Sequence, residues 1–228
     1  MRRLHGIAWP PFLHDHEVNA QWSTLYTTFP QFQLALCDAR GAVVAIGNTI
    51  PIVWDGRPSR LPDRIADLLR GGIRANERGA RCTALSALAA IVDPRHRAEG
   101  LSEKMVKAMT RLARRHGFSA LVAPVRPSWK GRYPLTAMKD YARWTRDDGS
   151  SFDPWLRVHQ RLGARILRIT PRGNTVRATV GEWETWTGMR FPRSGRYVVP
   201  DAFQPIRVDR SRDRVAYQEA NVWMLHRV

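Results

Sequence analysis

The segment Val92-Asp93-Pro94-Arg95-His96-Arg97-Ala98-Glu99-Gly100-Leu101-Ser102 leads small residues straight into an amphipathic run. The first amides of a helix lack partners within it, and the helix dipole puts partial positive charge at the same end. A small-residue turn feeding such a helix is therefore suited to phosphate or another anion. Gly100 lets the backbone approach the anion closely, and Ser102 is short enough not to block it. Arg95 and Arg97 add positive charge beside the same turn.

A second cluster, His14-Asp15-His16 with His5 nearby, offers potential metal ligands. Adjacent His-x-His binds one metal only in extended chain, and no partner cluster with ligand spacing follows. A helix start capped by Asp15 accounts for the same residues, so no metal is expected. Cys37 and Cys82 form neither a disulfide framework nor a metal-ligand spacing. Cys37, beside Leu34, Ala35 and Leu36, reads as a buried, inert thiol.

The elements that must position the turn are legible on either side of it. Ala84–Val92 is a continuous apolar run, the pattern of a strand buried on both faces. Leu101–His116 is the strongest helix, with Leu101, Met105, Ala108, Met109 and Leu112 along one stripe. Arg114, Arg115 and His116 suit its negative end, and Gly117 closes it. Upstream, His16–Thr28 and Leu61–Asn76 read as helices. Phe32–Cys37 and Ala42–Val53 read as a hairpin turned by Asp38-Ala39-Arg40-Gly41. Downstream come a strand at Ala120–Val125, a loop or partly helical insertion over 126–151, and a helix at Pro154–Leu162 ended by Gly163. Strands follow at Arg165–Ile169, Thr175–Val180 and Val215–Leu225, with a Trp-rich segment before the last. One mixed α/β (α+β) domain spanning 1–228 fits this order better than two.

The turn in this setting resembles the GNAT N-acetyltransferase superfamily of acyltransferases. The signature there is Arg or Gln, two residues, Gly, one residue, then Gly or Ala, after a strand ending in Val-x-Pro. This chain has Val92-Asp93-Pro94 and then Arg97-Ala98-Glu99-Gly100-Leu101-Ser102, with Ser102 in the last small position. The resemblance covers roughly residues 32–170; 171–228 is expected to be a variable part completing the sheet and the acceptor side. It implies a central, mostly antiparallel sheet flanked by helices, in which two neighbouring strands splay to admit the cofactor. An unpaired residue such as Pro124 is tolerable there. It also implies acetyl-CoA or another acyl-CoA as donor. Backbone groups of Ala90, Ile91 and Val92 would pair with the pantetheine arm. Amides of Arg97, Ala98, Glu99, Gly100, Leu101 and Ser102 would hold the pyrophosphate.

Acyl transfer to an amine or hydroxyl needs a deprotonated acceptor, a stabilised oxyanion and a protonated leaving thiolate. Members of the superfamily usually place a Tyr, as the acid, four residues before the Gly that closes the second helix. Here that position is His159, which either donates a proton near neutral pH or is a surface histidine on a basic helix. Phe152 and Asp153 stand where an Asn often begins that helix. Glu182 is a candidate general base, with Glu184 beside it, because Trp183 and Trp186 can desolvate a carboxylate and raise its pKa. The same indoles, one helical turn apart, can equally be a packing pair. Tyr133 and Tyr141 are further candidates to face the acceptor. Trp129, Trp144, Trp155, Trp183 and Trp186 could stack on nucleobases, but they favour lining a pocket for a small-molecule acceptor.

With 37 Lys and Arg against 20 Asp and Glu, the chain carries a net charge of +17. That attracts polyanions, including an acidic acyl carrier protein as an alternative donor partner. The basic residues are scattered, so nucleic acid should bind only weakly, without sequence preference and with strong salt sensitivity. The alternative to an enzyme is a non-catalytic module of the same fold that binds ligand or nucleic acid. No apolar run reaches bilayer-spanning length and no signal-peptide stretch precedes Pro10, so no membrane partner and a cytoplasmic location are expected. Oligomeric state stays open, a homodimer being one arrangement.

Overall fold

Asp38 turns the first hairpin. Its Oδ1 accepts from the amides of Arg40 and Ala42, both at 2.9 Å, joining β1 (Gln33–Cys37) to β2 (Val43–Ile52) antiparallel. These details come from a computed structural model that describes residues 2–14 and 18–228. The expected cap Asp15 and helix start His16 lie outside the described residues. Helix α1 (Arg2–Ala8) and the single turn α2 (Thr24–Thr27) precede the hairpin. His14 Nε2 hydrogen-bonds the Trp9 carbonyl oxygen at 3.0 Å.

After the hairpin come α3 (Ile65–Glu77), β3 (Ala84–Val92), α4 (Leu101–Arg115) and β4 (Ala120–Val125), close to the sequence expectation. Gly47 of β2 lies against Met105 and Met109 of α4, while the adjacent Ile46 is buried with Leu4 of α1. Successive strand residues point to opposite faces, so α1 and α4 cover the two sides of the sheet. The continuous apolar run of β3 follows from being covered on both faces.

The 126–151 insertion contains a 3₁₀ turn at Lys130–Arg132 and a single α-helical turn, α5 (Met138–Tyr141). It leads to α6 (Pro154–Arg161), β5 (Arg165–Ala178), α7 (Val180–Thr187), β6 (Gly195–Tyr197), β7 (Ile206–Asp209) and β8 (Arg214–Arg227). The sheet runs β1-β2-β3-β4-β8-β7-β6, with β5 also paired to β8. Every pairing is antiparallel except β3 with β4. The C-terminal strand is thus central: Val222–Arg227 pairs with β4, and β5 follows β8 over most of its length.

The structure differs from the sequence reading in several places: where one helix was expected over His16–Thr28, the described residues hold a 3₁₀ turn at Asn19–Gln21 and the single turn α2. The strands expected at 165–169 and 175–180 are one strand, β5, whose register shifts between Thr170 and Asn174. Pro171 and Gly173 fall in that irregularity, and their turn-like signal reads as a break in sequence. Cys37 is exposed rather than buried, because β1 is the edge strand and Cys37 ends it at the turn. The insertion is held by Lys130, which is buried and donates from Nζ to the carbonyl oxygens of Tyr133 (2.8 Å) and Phe203. Burial pushes its ammonium down to about 8.

Two adjacent glycines of α3 test the packing. A Cβ on Gly72 would lie 2.6 Å from Ile50 Cδ1 and 2.9 Å from the Pro51 carbonyl oxygen, whereas one on Gly71 meets nothing within 4 Å. Gly72→Ala should lower unfolding stability by about 1–3 kcal/mol through overpacking. Gly71→Ala should raise it by about 0.5–1 kcal/mol through helix propensity. Urea denaturation of the two variants checks the opposite signs.

Candidate active site

β3 and β4 pair only where Ala84–Ser86 meets Ala120–Val122. Beyond that point β3 stays on β2 and leaves β4. Asn48 faces Ala89 and Thr49 faces Ala87, so Leu88 is an extra residue in β3. A bulge of this kind bends its strand and sharpens the twist. On the other side Pro124 has no N–H to offer a neighbour, and its carbonyl oxygen accepts from Asn221 Nδ2 at 3.2 Å. The result is a cleft of about 820 Å³ between the strands, reaching α4, α6 and β8.

The open edge of β3 exposes defined backbone groups. Asp93 N–H donates to the Val44 carbonyl oxygen at 2.9 Å, and the ladder register turns Ile91 toward β2 in the same way. Antiparallel alternation then leaves the N–H and C=O of Ala90 and Val92 facing the cleft. Ile91 contributes to the wall, but its backbone groups belong to β2.

At the start of α4, Gly100 is left-handed with φ of 71°, and so is Ala98 with φ of 68°. A left-handed alanine costs roughly 1–2 kcal/mol, strain that gathers at binding turns. The first helical bond runs from Lys104 N–H to the Gly100 carbonyl oxygen at 3.1 Å, and no side chain caps the amides before it. The starts of α6 and α7 are capped by contrast: Asp153 accepts from the amides of Trp155 and Leu156, and Thr179 from that of Glu182. Arg97, Ala98, Gly100, Leu101 and Ser102 line the cleft. Glu99 does not; its carboxylate meets His96 Nδ1 at 3.1 Å. Arg95 is turned away too, forked onto Asp93 at 3.2 Å through Nε and 3.0 Å through Nη2. Arg97, Arg126 and Arg161 place positive side chains on the wall.

His159 is no surface residue. It lies on α6, 3% exposed, on the cleft wall. Its Nδ1 is 2.8 Å from His226 Nε2, and the Trp155 ring packs edge-on at 4.3 Å. Burial, reinforced by His226, pushes its pKa down to about 3, so the ring is neutral at physiological pH. Glu182 sits elsewhere. Its carboxylate accepts from the Thr179 amide at 2.7 Å in a capping box at the start of α7, outside the cleft lining. Those hydrogen bonds lower its pKa, the reverse of the raised value expected beside two indoles. Of the five tryptophans expected in a pocket, only Trp155 lines the cleft. Trp183 is buried against Phe12 and Trp186, and Trp129 and Trp144 pack with Tyr133 and Phe152. Tyr141 is buried, its hydroxyl donating to Asp153 Oδ2 at 2.8 Å.

Sequence reasoning missed the polar group on the β8 side. Glu219 is fully buried; Arg126 donates to it from Nε and Nη2 at 3.0 Å each, Tyr217 Oη at 2.8 Å and Asn174 Nδ2 at 3.2 Å. Arg126, Asn174 and Asn221 line the cleft beside it. A signal was present: Glu219 shares strand parity with the buried Val215 and Tyr217, which places a carboxylate on an apolar face.

The depressed pKa of His159 fixes the sign of a pH effect. With about 3 in the folded state against 6.5 as its ordinary value, the unfolded chain binds more protons between those limits. The contribution is fully present above the unfolded pKa and is lost as pH falls. From pH 8 to pH 5 it should amount to about 2 kcal/mol. Urea denaturation at both pH values should show His159→Phe losing about that much less stability than the unaltered protein; equal losses would contradict a buried neutral ring.

No protein-family profile matches the chain. Arginine N-acetyltransferase avaD of Aspergillus versicolor is 31% identical over 247 residues, covering 96% of this chain and 84% of that protein. Among solved structures, the GphF GNAT-like decarboxylase in complex with isobutyryl-CoA superposes with a TM-score of 0.64 at 21% identity, over 99% of this chain and 91% of that one. The loading GNATL domain of CurA from Lyngbya majuscula gives 0.63 at 16% identity, over 99% and 90%. The two structures share the fold, and the fungal relative is similar along nearly the whole chain: the protein belongs to the GNAT N-acetyltransferase superfamily.

Proposed function

We propose that this acyl-CoA-dependent acyltransferase moves an acetyl group onto an amine of a small basic molecule such as arginine. The observation that carries the donor half is the uncapped start of α4 at the open edge of β3. Free amides from Ala98 to Ser102, with Arg97 beside them, suit a pyrophosphate, and the exposed backbone groups of Ala90 and Val92 suit the amides of a pantetheine arm. Bound acyl-CoA supplies an activated thioester carbonyl. The protein's own residues hold the donor between β3 and β4 and keep it from bulk water. The acceptor half is supported by the arginine N-acetyltransferase named above and by the wall opposite α4, where Asn221 Oδ1 is a buried acceptor without a partner. An N–H donor such as an amine complements that oxygen.

Gly100→Val tests the donor site. Valine strains the left-handed backbone that aims the amides, so affinity for CoA should fall roughly tenfold or more by calorimetry while far-UV circular dichroism stays unchanged. An unaltered affinity removes the pyrophosphate assignment. Thiol release from acetyl-CoA, followed with a colorimetric thiol reagent, tests the acceptor: L-arginine should stimulate it well above the rate of hydrolysis alone. Stimulation by aromatic or aliphatic monoamines but not by L-arginine would move the acceptor to another class.

A further inference from the structure

His159 and His226 come together from α6 and β8, 67 residues apart in sequence, at 2.8 Å between Nδ1 and Nε2. Both are buried, at 3% and 2% exposure. Burial lowers the pKa of each, so each ring is neutral and carries one proton. A neutral imidazole donates through one nitrogen and accepts through the other, which makes the pair a question of tautomers. His159 lines the cleft, and its Nε2 is buried with no hydrogen-bond partner among the described residues. A buried N–H without a partner is rarer than an under-used acceptor, so the arrangement favours a bare Nε2 and a proton on Nδ1, donated to His226 Nε2.

We propose that His226 is a positioning residue that holds His159 as the Nδ1–H tautomer, and that His159 Nε2 accepts the proton of the attacking amine. This rests on the acyltransferase reading above. As the acceptor nitrogen bonds to the thioester carbonyl carbon, one N–H bond breaks and its proton forms a bond to Nε2. The C–S bond then breaks, and the same proton passes from Nε2 to the departing sulfur. An amide, a free thiol and neutral His159 result. The environment that disfavours the imidazolium also makes it a ready donor to the thiolate, so His159 acts as acid only after it has acted as base. A neutral His226 orients it without adding a buried charge that nothing nearby would pair.

Two measurements test this. Nitrogen-15 NMR of the full chain labelled at histidine distinguishes protonated from bare ring nitrogens directly. His159 should show a protonated Nδ1 and a bare Nε2; a protonated Nε2 overturns the assignment. In the second, His226→Gln retains an acceptor oxygen for His159 Nδ1–H, whereas His226→Leu retains none. With acetyl-CoA and L-arginine, His226→Leu should lower kcat roughly 10- to 100-fold with little change in the KM for acetyl-CoA, and His226→Gln should recover most of the loss. Equal kcat in both variants and the unaltered protein overturns the positioning role. The NMR arm uses unaltered protein and decides the tautomer even if His226→Leu fails to fold. If the unaltered protein neither binds acetyl-CoA nor releases thiol, the acyltransferase reading fails and the proton-transfer role with it, while the tautomer result stands.

Discussion

The parting of β3 from β4 is the constraint on which the rest of this structure depends. A central strand with one unpaired edge is costly, because buried backbone groups without partners lose roughly 1–3 kcal/mol each. The chain distributes that burden. β2 pairs β3 along its far edge, the bulge at Leu88 turns β3 away, and Pro124 removes one donor from the facing strand. Asn221 then satisfies the Pro124 carbonyl oxygen from β8. What remains open, the backbone of Ala90 and Val92, is the part an extended ligand would pair with. The gap is therefore built by both walls.

The placement of charge follows from the same gap. Only the turn at 93–100 separates the end of β3 from the start of α4, so chain connectivity delivers the positive end of the helix to the cleft. Two nearby basic residues behave differently: Arg95 folds back on Asp93, while Arg97 stays on the cleft wall. Net charge therefore says little about this site. The left-handed Ala98 is the local departure from an ordinary helix start, and it sits beside uncapped amides where an anion would bring the missing interactions. On the other wall Arg126 and Glu219 form a buried ion pair whose lone pairs are filled by Tyr217 and Asn174. Breaking such a pair leaves an uncompensated charge, so it fixes the join between the 126–151 insertion and β8.

How much was legible in the sequence depended on range. β3, α4 and β4 were read closely because an apolar run and a helical stripe are local patterns, and the turn between β3 and α4 is contiguous. β5 was split in two because Pro171 and Gly173 look like an end when no partner strand is known. The short β6 and β7 carry too few residues to show alternation. Glu182 is the instructive case. Thr179 three residues before it is a capping-box spacing readable from sequence, yet the neighbouring tryptophans drew attention to chemistry instead. His159 was found through its offset from Gly163, but its partner was not, since nothing in sequence joins residues 159 and 226.

The two walls of the cleft also differ in what they offer a ligand, and that difference constrains how one can lie. The wall at α4 presents donors: backbone amides and the guanidinium of Arg97. The wall at α6 and β8 holds two buried polar atoms without a partner, His159 Nε2 and Asn221 Oδ1, beside the guanidinium groups of Arg161 and Arg126. A molecule lying the wrong way round would set anion against acceptor and N–H against N–H, and each mismatch leaves a desolvated group unpaired. On the proposed reading, the free amides at α4 favour the charged end of an anionic donor and the unpartnered atoms opposite favour an N–H-bearing acceptor. Between them the lining is Ala87, Leu88, Ala89, Ala123 and Val125, side chains that make no polar demand. On that reading specificity for the two substrates is divided between the walls, which lets the acceptor wall vary without disturbing the turn at Gly100.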